Sequence, residues 1–507
     1  MVPTPVATSD SHSIAVIDIG SNSGRVVVYQ LETYSHFRIL ASGRTSLRLV
    51  RDLDRDGRLG DAAIEHAMES LRDFKAIALG AGAGKIIAVA TAATREASNG
   101  AAFIQRIKDE IGIEVGTVDG EAEGRYGFLG AVSSLPVDNG MLFDMGGGSA
   151  QICRFVDRKL EKSWSLPLGA LRLSGGFLQA DPPREREVKA LIAHVGELID
   201  KAGIPRLEPG QQLVGTGGTV RNLAKVDVRR SGYPIGRLHG YILTRKHVRA
   251  IAKSLAQQRM RDRGATSGLN KDRSDSIVGG AYGIKALMTA LGAGEVMISG
   301  QGVREGLLTS LLTDRIPAVS VVRADSIIAL TSRFNTWIAH AAARRSAIAR
   351  TLSETLDPLM RLDVREALTH AAALLDIGRA VDYFDRFQHA ATIVMNTELN
   401  GFSHHDVALL SAILRRAKDE LADPGNYRHL LKKSEQAIIE RAAVMLALAD
   451  EIEKRCPPEP RVQLRCVMTP DTVEVRVPAL VAWRPWLGEL RFERAFGRKL
   501  TVIAGDT

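Results

Sequence analysis

A short apolar strand that ends in an aspartate and a glycine turn occurs twice in this chain, about 126 residues apart. In the first copy Ile14–Ile17 runs into Asp18-Ile19-Gly20-Ser21-Asn22, and Arg25–Gln30 has the composition of a returning strand. In the second, Met141-Leu142-Phe143 runs into Asp144-Met145-Gly146-Gly147-Gly148-Ser149, and Ala150–Phe155 returns. Alternation of short apolar runs with glycine-rich turns predicts a β-hairpin at each place. One hairpin used twice in an α/β chain predicts two similar lobes with a cleft between them.

The segments between the copies fit that plan. Ile64, Met68, Leu71 and Phe74 share one face of a helix over residues 61–76. Lys85–Ala90 reads as a buried strand, followed by a helix near 99–110 and a short strand at 113–117. A third glycine turn, Gly215-Thr216-Gly217-Gly218, follows the apolar Leu213-Val214. A fourth, Gly300-Gln301-Gly302, precedes a helix beginning near Arg304. From residue 316 glycine thins out and heptad-like apolar spacing takes over, with strand character returning only at Val462–Val477. The expected domains are therefore 1–135, 136–315 and 316–507, the last helical with a small strand-bearing appendage.

At 507 residues the chain is too long for one ordinary core. Its net charge of +9 is uneven: residues 1–315 hold 41 Lys/Arg against 34 Asp/Glu, and residues 316–507 hold 26 against 24. The basic excess of the N-terminal part favours anionic ligands. Three cysteines without C-x-x-C spacing exclude a disulfide framework and a zinc site. No apolar run reaches membrane-spanning length, and residues 1–13 lack a signal peptide's pattern, so a cytoplasmic protein is expected, with no membrane or specific nucleic-acid partner.

Two motif mimics fail on chemistry. Asp52-Leu53-Asp54-Arg55-Asp56-Gly57 starts like a calcium loop, but Ala63 stands where the bidentate glutamate belongs. Gly80–Lys85 resembles a phosphate loop, yet Leu79 replaces its first glycine and Ile86 its magnesium-binding hydroxyl.

The remaining turns suit phosphate. Close backbone approach and inward N–H groups require glycine-rich turns, which Gly20, Gly146–Gly148 and Gly215–Gly218 supply, with Ser21, Ser149 and Thr216 as hydroxyl donors. The aspartates at the turns can hold Mg²⁺, an ion content with few carboxylates and retained waters. Water attack on a phosphoanhydride also needs a carboxylate to orient the water and cations to offset charge. Glu123 and Arg95 are the candidates.

Taken together, V-I-D-I-G-S-N-S (16–23), A-T-A-A-T-R-E-A (90–97), D-G-E-A-E-G-R (119–125), D-M-G-G-G-S (144–149), G-T-G-G-T (215–219), D-R-S-D-S-I-V-G-G-A (272–281) and S-G-Q-G-V-R-E-G (299–306) resemble the exopolyphosphatase/guanosine pentaphosphate phosphohydrolase (Ppx/GppA) family. The resemblance covers residues 14–310 and implies duplicated actin-like (ribonuclease H-like) lobes, a hydrolase of phosphoanhydrides, Mg²⁺ with or without a monovalent cation, and a homodimer. It places the catalytic glutamate on Glu123, a phosphate-contacting arginine on Arg95, and the phosphate loop on Asp144, Gly146, Gly147 and Gly148. Asp18, Ser21 and Asn22 would line the opposite wall.

Two departures stand out. The family's Ser-Thr-Glu after the loop is here Ser149-Ala150-Gln151, which removes a charge that a cation would use. Longer members carry a helical domain related to HD-type metal phosphohydrolases, but Leu375 replaces its motif histidine before Asp376, so that domain is expected to bind substrate or build a dimer. His404-His405-Asp406 reads as a helix start rather than a metal site. The leading function is an exopolyphosphatase; the alternatives are guanosine pentaphosphate hydrolysis at the same site and a non-catalytic polyphosphate- or alarmone-binding regulator. A sugar or acetate kinase fits less well, since no acceptor or adenosine site is visible.

Overall fold

The computed structural model describes residues 13–33, 36–49, 57–313, 315–421, 425–458, 462–484 and 488–504. Of the stretch 1–13 that lacks a signal peptide's pattern, residues 1–12 lie outside them, as does the acidic start of the calcium-like loop, Asp52–Asp56. The chain divides into two units, Met1–Val322 and Arg323–Thr507.

The first unit is built on two sheets. In one, β1 (Ser13–Ile19), β2 (Gly24–Thr33), β3 (His36–Thr45), β4 (Lys85–Ala90) and β5 (Val115–Thr117) are ordered β3-β2-β1-β4-β5. The other comprises β6 (Gly140–Met145), β7 (Ala150–Val156), β8 (Lys159–Leu166), β9 (Gln212–Thr216), β10 (Ile242–Thr244) and β11 (Glu295–Ile298), ordered β10-β11-β9-β6-β7-β8. In each sheet the Asp-bearing strand is central, antiparallel to its hairpin partner and parallel to the strand on its other side. The copies match residue for residue: Asp18 lies opposite Arg25 as Asp144 lies opposite Gln151. These are the two similar lobes that the repeated hairpin predicts.

Central strands buried on both faces read as continuous apolar runs rather than alternating ones, and Ala15, Val16 and Ile17 are all fully buried. The Asp61–Gly80 helix packs Met68, Leu71 and Phe74 into the same core, with Ile64 against its edge. Each such side chain contributes about 1.5–3 kcal/mol on full burial. Residues 81–84 form a loop between the Asp61–Gly80 helix and β4, as the failed phosphate-loop pattern predicts.

The second unit packs helices Ala339–Leu356, Leu362–Leu374, Arg386–Asn396, His404–Lys418 and Gln436–Glu453. Leu375 and Asp376 are buried. Arg345, itself 2% exposed, donates from Nη2 to Asp376 Oδ2 at 2.6 Å and approaches Asp450 Oδ1 at 3.2 Å through Nε. A guanidinium thus neutralises the aspartate that an HD-type metal would claim. Ser403 caps the helix that starts at His404, and Asp406 returns the cap. The appendage is larger than expected: β12 (Arg465–Met468) and β13 (Thr472–Val477) are joined by β14 (Lys499–Ala504), parallel to β13. Lys-Leu-Thr-Val-Ile-Ala at 499–504 is a short apolar run that gains its meaning only from a partner strand 20 residues or more earlier in the chain. Among the described residues no helix is long and apolar enough to cross a membrane.

Candidate active site between the two lobes

The two Asp-bearing strands end at a common cavity of about 240 Å³. Asp18, Gly20, Ser21 and Asn22 line it from one lobe, and Asp144, Gly146, Gly147, Gly148 and Ser149 from the other. Glu123 joins them from the first turn of the Gly120–Ser134 helix, which Asp119 caps by accepting from Ala122 N at 2.7 Å.

The glycine loop is oriented by its own carbonyls. Gly146 O accepts from Ala170 N, Gly147 O from Leu171 N, and Gly148 O from Gly169 N. Across a trans peptide the N–H points opposite to the C=O. The N–H groups of Gly147, Gly148 and Ser149, residues that line the cavity, therefore point away from the Gly169–Leu171 segment, an arrangement open to anions. The Ser21 hydroxyl accepts from Ala93 N at 3.2 Å, which fixes its oxygen at the cavity wall and leaves its proton to donate.

The third glycine turn serves differently from its sequence reading. Gly215 and Thr216 do not line the cavity: Gly215 sits against Phe143 and Val296, and the Thr216 hydroxyl donates to Gln301 O at 2.7 Å. Gly217 and Gly218 do line it. Gly217 holds φ at +89°, and a Cβ there would lie 2.2 Å from Asp144 Oδ1, while one on Gly218 would lie 2.2 Å from Arg273 Nη2. The turn makes room for those two side chains. Arg95 also stands outside the lining; it donates to the Val118 carbonyl and sits 3.9 Å from Glu96, from where its charge still reaches Glu123.

Five arginines that the sequence reading passed over line the cavity: Arg25, Arg44, Arg221, Arg273 and Arg304. Arg221 is anchored by Nε to Ser299 O at 2.8 Å and by Nη2 to Thr216 Oγ1 at 2.8 Å. Arg44 reaches across to Asp272 at 2.6 Å. Arg273, Arg221 and Arg304 were within or beside the quoted segments, but nothing local distinguishes a converging arginine from a solvated one.

Like charges crowd on both sides. Burial, then repulsion from Asp144 and Asp18, pushes Glu123 up to about 8, against the opposing pull of Arg95. Burial first, with Asp18 adding repulsion, raises Asp144 to about 6, although Arg221, Arg273 and Arg304 oppose it. Asp18 is raised chiefly by burial. Burial and the neighbouring Arg304, Arg221 and Arg44 push Arg25 down to about 10. A cation would relieve the carboxylates and an anion the arginines, so the cavity suits the two together. Asp18 and Asp144 offer the hard oxygen donors that Mg²⁺ takes in small number. Among the described residues no group of three or more His, Cys, Asp or Glu side chains forms a protein-only metal cage.

Residues 27–315 match the Ppx/GppA phosphatase family, and residues 322–479 match Ppx/GppA phosphatase, domain III. Exopolyphosphatase 1 of Mycobacterium tuberculosis is 29% identical over 318 residues, covering 62% of this chain and 92% of that protein. Guanosine-5'-triphosphate,3'-diphosphate pyrophosphatase of Aeromonas hydrophila is 27% identical over 412 residues, 80% of this chain and 81% of its own. The crystal structure of the Aquifex aeolicus Ppx/GppA family member superposes with a TM-score of 0.52 at 28% identity, over 60% of this chain and 98% of that one. An exopolyphosphatase from Cytophaga hutchinsonii shares the fold at a TM-score of 0.54 and 24% identity, over 59% and 97%.

Proposed function

Because the chain belongs to the Ppx/GppA phosphatase family, we propose that it is an exopolyphosphatase that releases orthophosphate from the end of inorganic polyphosphate, with Glu123 directing the attacking water. The chain is a hydrolase of phosphoanhydride bonds. The observation that carries the finer reading is that a carboxylate raised to about 8 shares one small cavity with the glycine loop and the five arginines. A base near the working pH both accepts a proton and is ionised often enough to act.

In this reading the terminal phosphoryl oxygens rest on the N–H groups of Gly147, Gly148 and Ser149, with Arg221, Arg273 and Arg304 drawing charge from them. Glu123 accepts a proton from water as its oxygen bonds to phosphorus. The P–O bond to the next phosphate breaks, and the shortened chain leaves with the electron pair. Asp18 and Asp144 would hold Mg²⁺, which when bound supplies charge neutralisation to the phosphate oxygens. Hydrolysis of guanosine pentaphosphate at the same cavity is the second reading, favoured by the likeness to the Aeromonas protein. A cytoplasmic homodimer is part of the proposal and rests on the sequence alone.

The test is orthophosphate release by the purified chain with Mg²⁺, from long-chain polyphosphate and from guanosine pentaphosphate side by side. Faster release from polyphosphate supports the proposal. Preference for the nucleotide moves the assignment to the second reading, and silence on both leaves a ligand-binding regulator.

A further inference from the structure

Gln151 stands on β7 directly opposite Asp144 on β6 and Ser165 on β8. Residues directly opposite in antiparallel strands project from the same face, so these three side chains form one row at the cavity wall. Gln151 is 1% exposed and does not itself line the cavity. Its Nε2 lies 3.0 Å from Ser149 Oγ, 3.2 Å from Glu123 Oε2 and 3.5 Å from Ser165 Oγ. The ionised carboxylate, the form that takes a proton from water, accepts only, and to it the amide presents N–H. The helix that bears Glu123 can come this close because Gly124 faces Ser163, where a Cβ would lie 2.4 Å from the hydroxyl oxygen.

We propose that Gln151 is a positioning residue: its amide pins Glu123 Oε2 against the β7–β8 wall beside the Ser149 hydroxyl, and leaves the other carboxylate oxygen to address the water. This rests on the reading of Glu123 as the water-directing group. The position has a counterpart in the other lobe, where Arg25 faces Asp18 in the matching register. There the cross-strand neighbour of the aspartate is a cation that lines the cavity; here it is a neutral donor behind it. A glutamate at 151 would fill the same volume, yet set a further carboxylate between Asp144 and Glu123. The charged groups acting on Glu123 are Asp144, Asp18, Arg95 and Glu96, and none of these supplies the hydrogen bond that Gln151 makes.

The experiment is steady-state phosphate release from polyphosphate by the full chain with Mg²⁺, followed against pH, for wild type, Gln151→Met, Gln151→Glu and Glu123→Gln. In Gln151→Met, kcat falls roughly ten- to hundredfold, since a mis-set water costs that much, while KM stays within about twofold. Its acid limb moves to higher pH because the carboxylate loses a donor. Gln151→Glu keeps the side-chain length and moves the limb further, through an added like charge. Thermal unfolding near the wild-type midpoint separates these effects from misfolding, and the near-isosteric glutamate variant carries the test if the methionine variant fails to fold. Wild-type kcat and pH profile in both Gln151 variants, with Glu123→Gln inactive, overturn the positioning role alone. Full activity in Glu123→Gln overturns the reading beneath it.

Discussion

Replacing Glu123 by glutamine leaves shape and volume nearly unchanged and removes one buried charge, so its effects on stability and on catalysis can be calculated separately. The carboxyl is displaced from 4.5 to about 8 in the fold, first by burial and then by Asp144 and Asp18. The folded chain therefore holds this proton more tightly than the unfolded chain does. Its contribution to stability is complete below about pH 4.5, declines as pH rises, and is lost by about pH 8. Each pH unit within that window costs about 1.36 kcal/mol, so by pH 7 wild type has given up about 3 kcal/mol that the glutamine variant never loses. For a unit of some 320 residues, at about 2.1 cal/mol/K each, this corresponds to a Tm gain of about 5 °C in the variant at neutral pH. The gain should shrink towards zero near pH 5. Calorimetry or near-ultraviolet melts of both proteins between pH 5 and 9, with a chelator present to keep divalent cations off the carboxylates, measure that difference directly. Catalysis should move the other way. Wild-type kcat/KM rises about tenfold per pH unit below the Glu123 pKa, and the variant is at least about a hundredfold slower at every pH. A Tm difference that stays constant from pH 5 to 9 would falsify the account of Glu123 as a carboxyl held uncharged by its surroundings.

Other perturbations follow from the same cavity and from the helical unit. Arg273→Ala removes charge-assisted hydrogen bonds to phosphate worth about 1.5–3 kcal/mol, so KM for polyphosphate should rise roughly ten- to a hundredfold with a shallower salt dependence; an unchanged KM in phosphate-release assays excludes it from the binding wall. Gly217→Ala places a methyl 2.2 Å from Asp144 Oδ1 at a φ of +89°, and should lower the urea midpoint by more than about 1 kcal/mol equivalent while abolishing turnover. Chelation should silence phosphate release and Mg²⁺ restore it, with Asp144→Asn demanding more Mg²⁺ for half-maximal rate; activity indifferent to chelators removes the cation from the proposal. Arg345→Met strips Asp376 of its 2.6 Å partner and leaves it only Arg386 at 3.8 Å, while Asp450 keeps Arg386 and Lys454; it should cost about 3 kcal/mol in denaturant unfolding of the second unit, and an unchanged midpoint shows Asp376 to be otherwise compensated.

What was legible in the sequence was what is decided within a few residues. A strand, an aspartate and a glycine turn specify a hairpin locally, and the repeat at 126 residues carried that to the paired sheets and the shared cavity at their ends. Glu123 could be placed because the D-G-E-A-E-G-R segment carries the family resemblance, and the structure sets it on a helix that Asp119 caps. The arginines were opaque for the opposite reason. Arg25 comes from β2, Arg44 from β3, Arg221 from the helix after β9, Arg273 from the turn at Lys271–Arg273 and Arg304 from the Val303–Ser310 helix, and only the closed topology brings five such distant positions to one wall. The reading of Gly215 and Thr216 failed on a related point, since sequence cannot say whether a glycine is needed for the ligand or for a neighbouring side chain. Gly217 and Gly218 answer it here: the space they leave is filled by Asp144 and Arg273. Gln151 combines both lessons. As a departure from the family pattern it first reads as a lost cation ligand, yet its register opposite Asp144 and its amide 3.2 Å from Glu123 make it a donor to the carboxylate. One buried negative charge fewer beside Asp18, Asp144 and Glu123 lowers the repulsion that the fold and a bound cation must offset, so this chain should work with a weaker hold on its cation than a relative bearing glutamate at that place.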